Sequence, residues 1–358
     1  MANIHSEFLC INVNQPTSLL HDDVQTVIGD LLSAIEKFAC LPFVLRLHLS
    51  DVTNQHDIVV QMLNESIDLS RVQLSIIEQA PANGAKITAE VWFVLNSDKR
   101  VVDENSGVKS LSINFGELKM SFIQTQYKTF DSDSYLQMQE EWMSLDEYIK
   151  KEGGSISDHV QRTWIYCRDI DNNYEGLVEA RNDFFKTQGL NTDTHFIAST
   201  GIQARFFDPK QLVKMDSLCF FGLKDNQIEY LEALEWMSPT HIYGVSFERG
   251  TKILLDDESY FFISGTASID RDGLIMHLNN IEMQTRRTLE NIQALLLPHN
   301  AHLKDIKQAI VYLRDRSDYS KVNDLLKRSG FADDRYVIVE APVCRPGWLI
   351  EIEAIAVK

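Results

Sequence analysis

The sequence predicts an α+β protein made of two tandem copies of one unit, each a mixed β-sheet with two helices packed on one face. A repeat supports this prediction. The segments 162–174 (RTWIYCRDIDNNY) and 308–319 (QAIVYLRDRSDY) share a β-branched and aromatic run that ends in Tyr-x-Arg-Asp and is soon followed by another tyrosine. Apolar residues at helical spacing come before and after both segments. Self-similarity of this kind indicates a repeated structural unit.

The predicted order of elements in each copy is strand, strand, helix, strand, helix, strand, strand. The first helices are predicted from apolar residues at helical spacing over 142–149 and 288–295. The second helices end near Gly189 and Gly330, because glycine suits a helix C-terminus. The segment 251–270 (from TKILL to SID) predicts a hairpin that opens the second copy.

The first copy carries an added N-terminal region. In this region a helix is predicted over 22–40 and a hairpin over 73–96, turning at 82–84. We place the boundary between two domains at FFDPKQL, which gives an N-terminal domain of 1–208 and a C-terminal domain of 209–358.

Composition and charge argue against several function classes. The chain has 34 basic and 52 acidic side chains, a formal charge of -18, and such a surface repels the phosphate backbone of nucleic acids. Five scattered cysteines favour reduced thiols over a disulfide framework. No apolar run approaches the roughly 18 residues of a membrane helix, so we expect a soluble cytoplasmic protein. Because the sequence has no HExxH, no clustered histidines and no Gly-rich phosphate loop, we predict no metal and no cofactor.

The candidate chemistry lies in the segment 341–358 (APVCRPGWLIEIEAIAVK). Glu351 and Glu353 alternate with apolar residues, so both carboxylates point to one face of a strand. Such acids ordinarily face solvent. A carboxyl group that faces an apolar cleft instead has a raised pKa, which a general acid near neutral pH needs. The corresponding region of the first copy, 194–207, has no pair of acids.

These motifs resemble the RidA/YjgF superfamily. The resemblance is carried over 260–358 by ISGTASI, TRRTLENIQALL, AIVYLRD and above all LIEIEAIAV, and 135–205 resembles a degenerate second copy. The order YCRDI, STGI, FERG, SGTAS and CRPGWLIEIEA is similar to the chorismatase branch. This resemblance implies two RidA/YjgF-like (chorismate-mutase-like) units and a cofactor-free enzyme. Its expected reaction is cleavage of the enolpyruvyl ether of chorismate to pyruvate and a hydroxybenzoate or a dihydroxycyclohexadiene carboxylate.

The resemblance also implies roles for individual residues. Glu351 matches the first acid of the IEIEA string, which donates a proton or orients water, whereas Glu353 is expected to be structural. Cys344 matches the type that yields 3-hydroxybenzoate, either as a reacting group or as a wall of the ring pocket. Arg249 and Arg335 are expected to hold the carboxylates of a small anionic metabolite, since a guanidinium pairs with a carboxylate in a bidentate manner.

Four further residues complete the predicted site. Gly265 and Ala267 in SGTAS are expected to let the substrate approach the backbone closely. Gly201 in STGI is expected to contribute from the first copy across the domain interface. Arg205 is a third candidate partner for a carboxylate.

Two other functions stay open at this point. One is a RidA-like imine or enamine deaminase that uses the same arginine and glutamate on a smaller substrate, and the other is a non-catalytic protein that binds a small metabolite. The SFERG segment and the fused first unit favour chorismate cleavage over deamination. RidA-type domains usually form trimers with sites between subunits. We therefore expect a homo-oligomer, or a monomer in which the fused units replace such an interface.

Overall fold

The fold has three mixed β-sheets, one more than the two predicted units provide. The computed structural model describes residues 4–95, 100–105, 107–126 and 132–358. The predicted α+β class is confirmed, and the additional sheet is formed by the N-terminal region. None of the helices within these ranges is long and apolar enough to cross a membrane.

The N-terminal region forms a complete first unit. Its elements are β1 (His5–Asn12), α1 (Leu20–Phe38), β2 (Val44–Leu49), α2 (Val52–Asn64), β3 (Gln73–Glu78) and β4 (Ile87–Leu95). The strand order is β1-β4-β2-β3. The predicted helix over 22–40 is confirmed as α1. The predicted hairpin over 73–96 is wrong, because β2 lies between β3 and β4 and pairs with both.

The second and third units contain the predicted order of elements, with one additional strand before the first helix in each and the short additional helix α4 in the second. The second unit consists of β5 (Arg100–Asn105), β6 (Val108–Phe115), β7 (Leu118–Thr125), α3 (Ser134–Lys151), α4 (Ile156–His159), β8 (Val160–Cys167), α5 (Ile170–Thr187), β9 (Ala198–Gln203) and β10 (Val213–Phe221). The third consists of β11 (Ile228–Tyr230), β12 (Gly250–Leu255), β13 (Glu258–Ala267), α6 (Ile281–Leu296), β14 (Ile306–Leu313), α7 (Tyr319–Arg328), β15 (Tyr336–Glu340) and β16 (Ile350–Val357). The predicted hairpin over 251–270 is confirmed as β12 and β13.

The sheet that contains β10 corrects the predicted domain boundary. The second sheet has the order β5-β6-β7-β10-β8-β9, so β10 is an inner strand paired with β7 and β8. The boundary at 208 would therefore cut this sheet. The division between the second and third units lies after Phe221 instead.

The three units share one topology. The third sheet has the order β11-β12-β13-β16-β14-β15, and without the added edge strands all three sheets have the same four-strand order. The helices pack on one face of each sheet, as predicted. In the second unit, for example, Trp142 of α3 and Leu177 of α5 share a buried cluster with Ile165 of β8 and Met215 of β10. The chain is thus an internal threefold repeat whose sheets turn their other faces toward a common centre.

The strand register shows which residues are equivalent in the three units. In each unit the first residue of the last strand pairs with the final residue of the neighbouring inner strand: Ile87 with Leu49, Val213 with Cys167, and Ile350 with Leu313. Counting from these pairs, Glu90, Asp216 and Glu353 occupy equivalent positions. By the same count the equivalents of Glu351 are Thr88 and Lys214.

The three equivalent acids form a charged cluster at the buried centre. Arg46 Nη1 donates to Glu90 Oε2 at 3.3 Å and Arg46 Nη2 donates to Asp216 Oδ2 at 3.4 Å. Arg162 Nη2 donates to Glu353 Oε2 at 2.8 Å. All five side chains are buried, where an unpaired charge would be costly. Because an acid occupies this position in every unit, Glu353 belongs to the packing of the units against one another.

Candidate active site

A cavity of about 850 Å³ lies between the second and third units. Its walls come from α5 and β9 of the second unit and, in the third, from β13, β16 and the segments that precede β12 and β16. Six of the predicted site residues line it: Gly201, Arg249, Gly265, Ala267, Cys344 and Glu351. Within the described ranges, no group of three or more His, Cys, Asp or Glu side chains is arranged to hold a metal ion.

Glu351 is a buried acid in the wall of this cavity, only 6% exposed. On β16 it pairs in register with Ala267 of β13. Burial, together with the negative charge of Glu353, raises the pKa of Glu351 to about 8, although the charges of Arg249 and Arg162 act in the opposite direction. The Glu351 carboxyl group is therefore mainly protonated at neutral pH and can donate a proton to a bound molecule.

Gly265 allows the carboxyl group of Glu351 to approach the backbone of β13. A Cβ atom at this glycine would overlap Oε1 of Glu351, and it would also lie 2.9 Å from Cδ of Glu351 and 3.0 Å from Cγ2 of Thr200. The backbone N–H of Gly265 donates to Thr200 Oγ1 at 2.9 Å, which joins the two units at this point. The sequence predicted close approach of a substrate here, whereas the structure shows close approach of Glu351.

Gly265→Ala is expected to lower turnover by about 10²-fold, because the added methyl group displaces Glu351 and a misplacement of about 1 Å can have that effect. The steady-state rate on the substrate proposed below measures the loss. Gly29→Ala is the control, since a Cβ atom at Gly29 in α1 meets nothing within 4 Å. An unchanged rate in the Gly265 variant would contradict the importance of this contact.

Cys344 lies in the same wall as a protonated thiol. Burial, together with the negative charge of Glu351, raises the pKa of Cys344 to about 12, although a hydrogen bond with Tyr174 acts in the opposite direction. Burial also raises the pKa of Tyr174 well above its ordinary value. A nucleophilic cysteine needs a lowered pKa. Of the two roles predicted for Cys344, the environment favours a wall of the pocket over a reacting group.

Cys344→Ala is accordingly expected to keep turnover within about tenfold of the unmodified protein, because only packing is lost. The ratio of products is expected to change more than the rate if Cys344, which lines the cavity, has the predicted role of a wall of the ring pocket. Rates and product ratios from the same reactions check both expectations. A loss as large as that of a catalytic acid would instead indicate a chemical role for the thiol.

Three arginines bring positive charge to the cavity: Arg181, Arg249 and Arg345. The Arg249 side chain is buried, and its Nη2 donates to the carbonyl oxygen of Ser238 at 2.9 Å. The Arg345 guanidinium lies 5.1 Å from the ring centre of Trp348. These groups can orient carboxylates by paired hydrogen bonds.

The sequence predictions missed Arg181 and Arg345. Arg181 lies on the buried face of α5, four residues after Leu177 and four before Phe185. A charged residue within an apolar row of a helix was the signal that could have found it. Arg345 directly follows Cys344 in the CRPGW motif, and this adjacency was the signal that could have identified it.

Two predicted binding residues, Arg335 and Arg205, lie outside this cavity. Arg335 Nη1 donates to the carbonyl oxygens of Ile306 at 3.0 Å and Lys304 at 3.2 Å, so the side chain fixes the start of β14. Arg205 Nη1 donates to Glu78 Oε1 at 3.0 Å, which joins the first two units, and 62% of its side chain is exposed.

Comparison with known proteins decides the family. A family model described as Endoribonuclease L-PSP matches residues 254–358. A RutC family protein of Pyrococcus abyssi (strain GE5 / Orsay) is 35% identical over 101 residues, which are 28% of this chain and 80% of that protein. The chain belongs to the RidA/YjgF (L-PSP) superfamily. Another superfamily relative, the 3-aminoacrylate deaminase RutC of Acinetobacter baylyi (strain ATCC 33305 / BD413 / ADP1), is 29% identical over 101 residues, or 28% of this chain and 79% of that protein.

One solved structure is similar to the whole chain and not only to the matched residues 254–358. A crystal structure of a chorismatase matches with a TM-score of 0.69 and covers 99% of both chains, at 17% sequence identity. At this identity the match establishes a shared fold over the whole chain, including the first unit. A shared fold does not by itself establish the reaction.

Proposed function

We propose that this protein cleaves the enolpyruvyl ether of chorismate in the cavity between the second and third units. The observation that carries the proposal is Glu351, a buried and protonated acid in a cavity that is also lined by three guanidinium groups. The volume of about 850 Å³ falls within the range of roughly 300–1,000 Å³ for small-molecule sites. The full-length likeness to a chorismatase fold supports the choice of substrate.

The arginines match the charge of the proposed substrate. Chorismate carries two carboxylates, and the chain as a whole has a formal charge of -18, so binding requires cationic partners in the cavity. Arg181, Arg249 and Arg345 supply guanidinium groups that can pair with the two carboxylates. The lining also contains Lys186 and four acids of α5: Asp171, Glu175, Glu179 and Asp183. The side chains of Phe247 and Trp348 also line the cavity and provide apolar surface for the ring.

In the proposed mechanism Glu351 protonates the methylene carbon of the enolpyruvyl group. The C=C electron pair takes the proton, and the ether carbon becomes an oxocarbenium ion beside the newly formed carboxylate of Glu351. Water then adds to this carbon, and the resulting hemiketal collapses to pyruvate and the ring alcohol. This path consumes one water molecule and gives a dihydroxycyclohexadiene carboxylate. Subsequent loss of one water molecule from the ring gives a hydroxybenzoate. The resemblance around Cys344 favours 3-hydroxybenzoate.

Deamination of an imine or enamine is the second candidate, because a superfamily relative carries the name 3-aminoacrylate deaminase. Glu351 could serve that reaction as a proton donor. A substrate as small as 3-aminoacrylate has one carboxylate and would leave much of the cavity unfilled. The size of the cavity and its three arginines favour the larger dianion.

Incubation of the purified protein with chorismate tests the proposal, with pyruvate measured by coupling to lactate dehydrogenase and ring products separated by chromatography. Pyruvate release above the uncatalysed rate is the expected result, and its absence would overturn the proposal. A parallel reaction with 2-iminopropanoate measures ammonia. Ammonia released from 2-iminopropanoate above its spontaneous hydrolysis, with no pyruvate released from chorismate, would identify a deaminase. Neither activity would leave a metabolite-binding protein.

Arg249→Lys is expected to raise the KM for chorismate by tenfold or more, because a lysine cannot reproduce bidentate pairing, and about 1.4 kcal/mol corresponds to tenfold. Arg205→Lys is the matched control, since Arg205 lies outside the cavity. Initial rates over a range of chorismate concentrations measure both variants. Equal KM values would remove Arg249 from substrate binding.

A further inference from the structure

The internal threefold repeat places a second cleft, between the first and second units, in the position equivalent to the cavity that holds Glu351. Lys214 occupies the position of Glu351 in this cleft, as the strand register shows. Ser75 is likewise the counterpart of Thr200. In the strand register of the first unit, Arg46 of β2 lies opposite Ser75 of β3. In the second unit, Trp164 of β8, which is equivalent to Arg46, lies opposite Thr200 of β9.

The helix that lines the second cleft, α2, carries an aromatic residue at the position equivalent to that of Tyr174 in α5, which lines the first cleft. His56 lies in α2 seven residues after the end of β2, and Tyr174 lies in α5 seven residues after the end of β8. An aromatic ring is therefore present at this position in both clefts. The second cleft preserves the layout of the first with different chemistry: Lys214 replaces the acid and His56 replaces the phenol.

A cavity of about 580 Å³ is present at this place. Its apolar walls are contributed by both units: Val60, Leu74, Ile76, Phe206 and Phe207. Polar side chains also line it: His56, Thr125, Gln126, Asp208, Gln211 and Lys214. A lining that combines apolar walls with a few polar side chains is typical of a binding site for a small, partly apolar molecule.

Lys214 is the cationic side chain of this lining. Lys214 Nζ donates one of its three N–H groups to Ser75 Oγ at a distance of 3.1 Å. Burial lowers the pKa of Lys214, while Asp216 and Glu141 partly compensate. Among the residues that the structure describes, no carboxylate lies within 4.0 Å of this ammonium nitrogen. A bound anion would therefore supply a direct counter-charge.

The mouth of the cavity carries a pair of aromatic rings. The rings of His56 and Phe207 stack with centroids 4.3 Å apart and planes at 24°. Phe207 is 45% exposed, although it is a large apolar side chain. A planar ring entering the cavity could extend this stack and cover the exposed surface of Phe207.

We propose that the cleft between the first and second units is a binding site for an aromatic monocarboxylate, with the carboxylate on Lys214 and the ring beside His56 and Phe207. One ammonium matches one carboxylate, and the apolar walls match a single ring. The acid Asp208 also lines the cavity, which disfavours a dianion. The site lacks a counterpart of Glu351, so it binds its ligand without turnover. The proposal stands whether or not the protein acts on chorismate.

The test is to soak crystals of the full chain with 4-bromobenzoate and to titrate the same compound by calorimetry. Anomalous bromine signal beside His56 and Phe207 is expected, with the carboxylate at Lys214. Neutral 4-bromobenzamide is expected to bind at least tenfold more weakly. Absence of binding up to about 10 mM, which corresponds to a binding free energy weaker than about 2.7 kcal/mol, would overturn the proposal, as would equal affinity for the amide.

Variants separate this site from the cavity that holds Glu351. Lys214→Met and Phe207→Ala are each expected to weaken 4-bromobenzoate binding at least tenfold, and Phe207→Ala changes an exposed ring, so its fold is expected to survive. Arg249→Lys is expected to leave the bromine signal in the second cleft unchanged. If Arg249→Lys abolishes binding while Lys214→Met and Phe207→Ala retain it, the ligand binds in the other cavity and the proposal is wrong.

Discussion

Glu351→Gln is expected to lower chorismate turnover by about 10²- to 10⁴-fold, the range that general acid catalysis contributes. Glutamine keeps the shape of the protonated carboxyl group but cannot give up a proton to the enolpyruvyl carbon. Pyruvate release measures the loss. Glu340→Gln at the end of β15 is the control, because Glu340 lies outside the lining of the cavity. Activity that survives in Glu351→Gln would remove the acid from the mechanism.

The same substitution is expected to stabilise the protein at alkaline pH. The pKa of Glu351 is about 8 in the folded protein and 4.5 as an ordinary value, so the folded state binds the proton more tightly. The stability contributed by this group is fully present below about pH 4.5 and is lost as the pH rises toward 8. Ionisation of the buried acid then costs up to ~5 kcal/mol, an upper bound since one pKa unit corresponds to about 1.4 kcal/mol.

Urea unfolding at pH 6 and pH 9 measures this effect. The free energy of unfolding of the unmodified protein is expected to fall relative to that of Glu351→Gln as the pH rises. Turnover is also expected to decline above about pH 8, when the acid has lost its proton. A difference in stability between the two proteins that does not change with pH would contradict the raised pKa.

Arg162→Met is expected to destabilise the fold by about 3–5 kcal/mol, because the buried carboxylate of Glu353 loses its cationic partner and keeps only the hydrogen bond from Trp164 Nε1. The Nη2–Oε2 distance of this pair is 2.8 Å, and both side chains are 2% exposed. The control is Arg205→Met, which removes a largely exposed partner of Glu78 and is expected to cost less than about 1 kcal/mol. Urea unfolding at pH 7 compares the two.

A second variant distinguishes loss of the charge pair from loss of packing. Arg162→Met combined with Glu353→Gln is expected to recover part of the stability, since the uncompensated charge is then absent. If the single variant costs no more than Arg205→Met, the central cluster does not hold the units together as described.

The repeat in the sequence revealed two of the three units. The second and third units each carry a Tyr-x-Arg-Asp strand end, whereas β2 of the first unit ends in LRLHLSD. The pattern that relates β2 to the other strands lies in its hydrogen-bonding register, which no local motif records. For the same reason β3 and β4 were predicted as a hairpin, although β2 inserts between them.

The structure brings predicted site residues together where candidate chemistry and strand alternation occur in one short segment. Alternation along β16 placed Glu351 and Glu353 on one face, and the structure shows that one acid lines the cavity and the other lies in the central cluster. Arg335 and Arg205 could not be placed from sequence, because the cleft that each faces depends on the packing of whole units. Arg181 was missed for the same reason.

The protonation state of Glu351 is the most direct test of this account. Infrared difference spectra between the unmodified protein and Glu351→Gln, recorded from pH 6 to pH 10, report the C=O stretch of a protonated carboxyl group. A carboxylic acid signal that belongs to Glu351 is expected at pH 7, and it is expected to disappear with a midpoint near pH 8, in accord with the raised pKa of Glu351. A carboxylate signal for Glu351 throughout this range would contradict the proposed role of Glu351 as a proton donor.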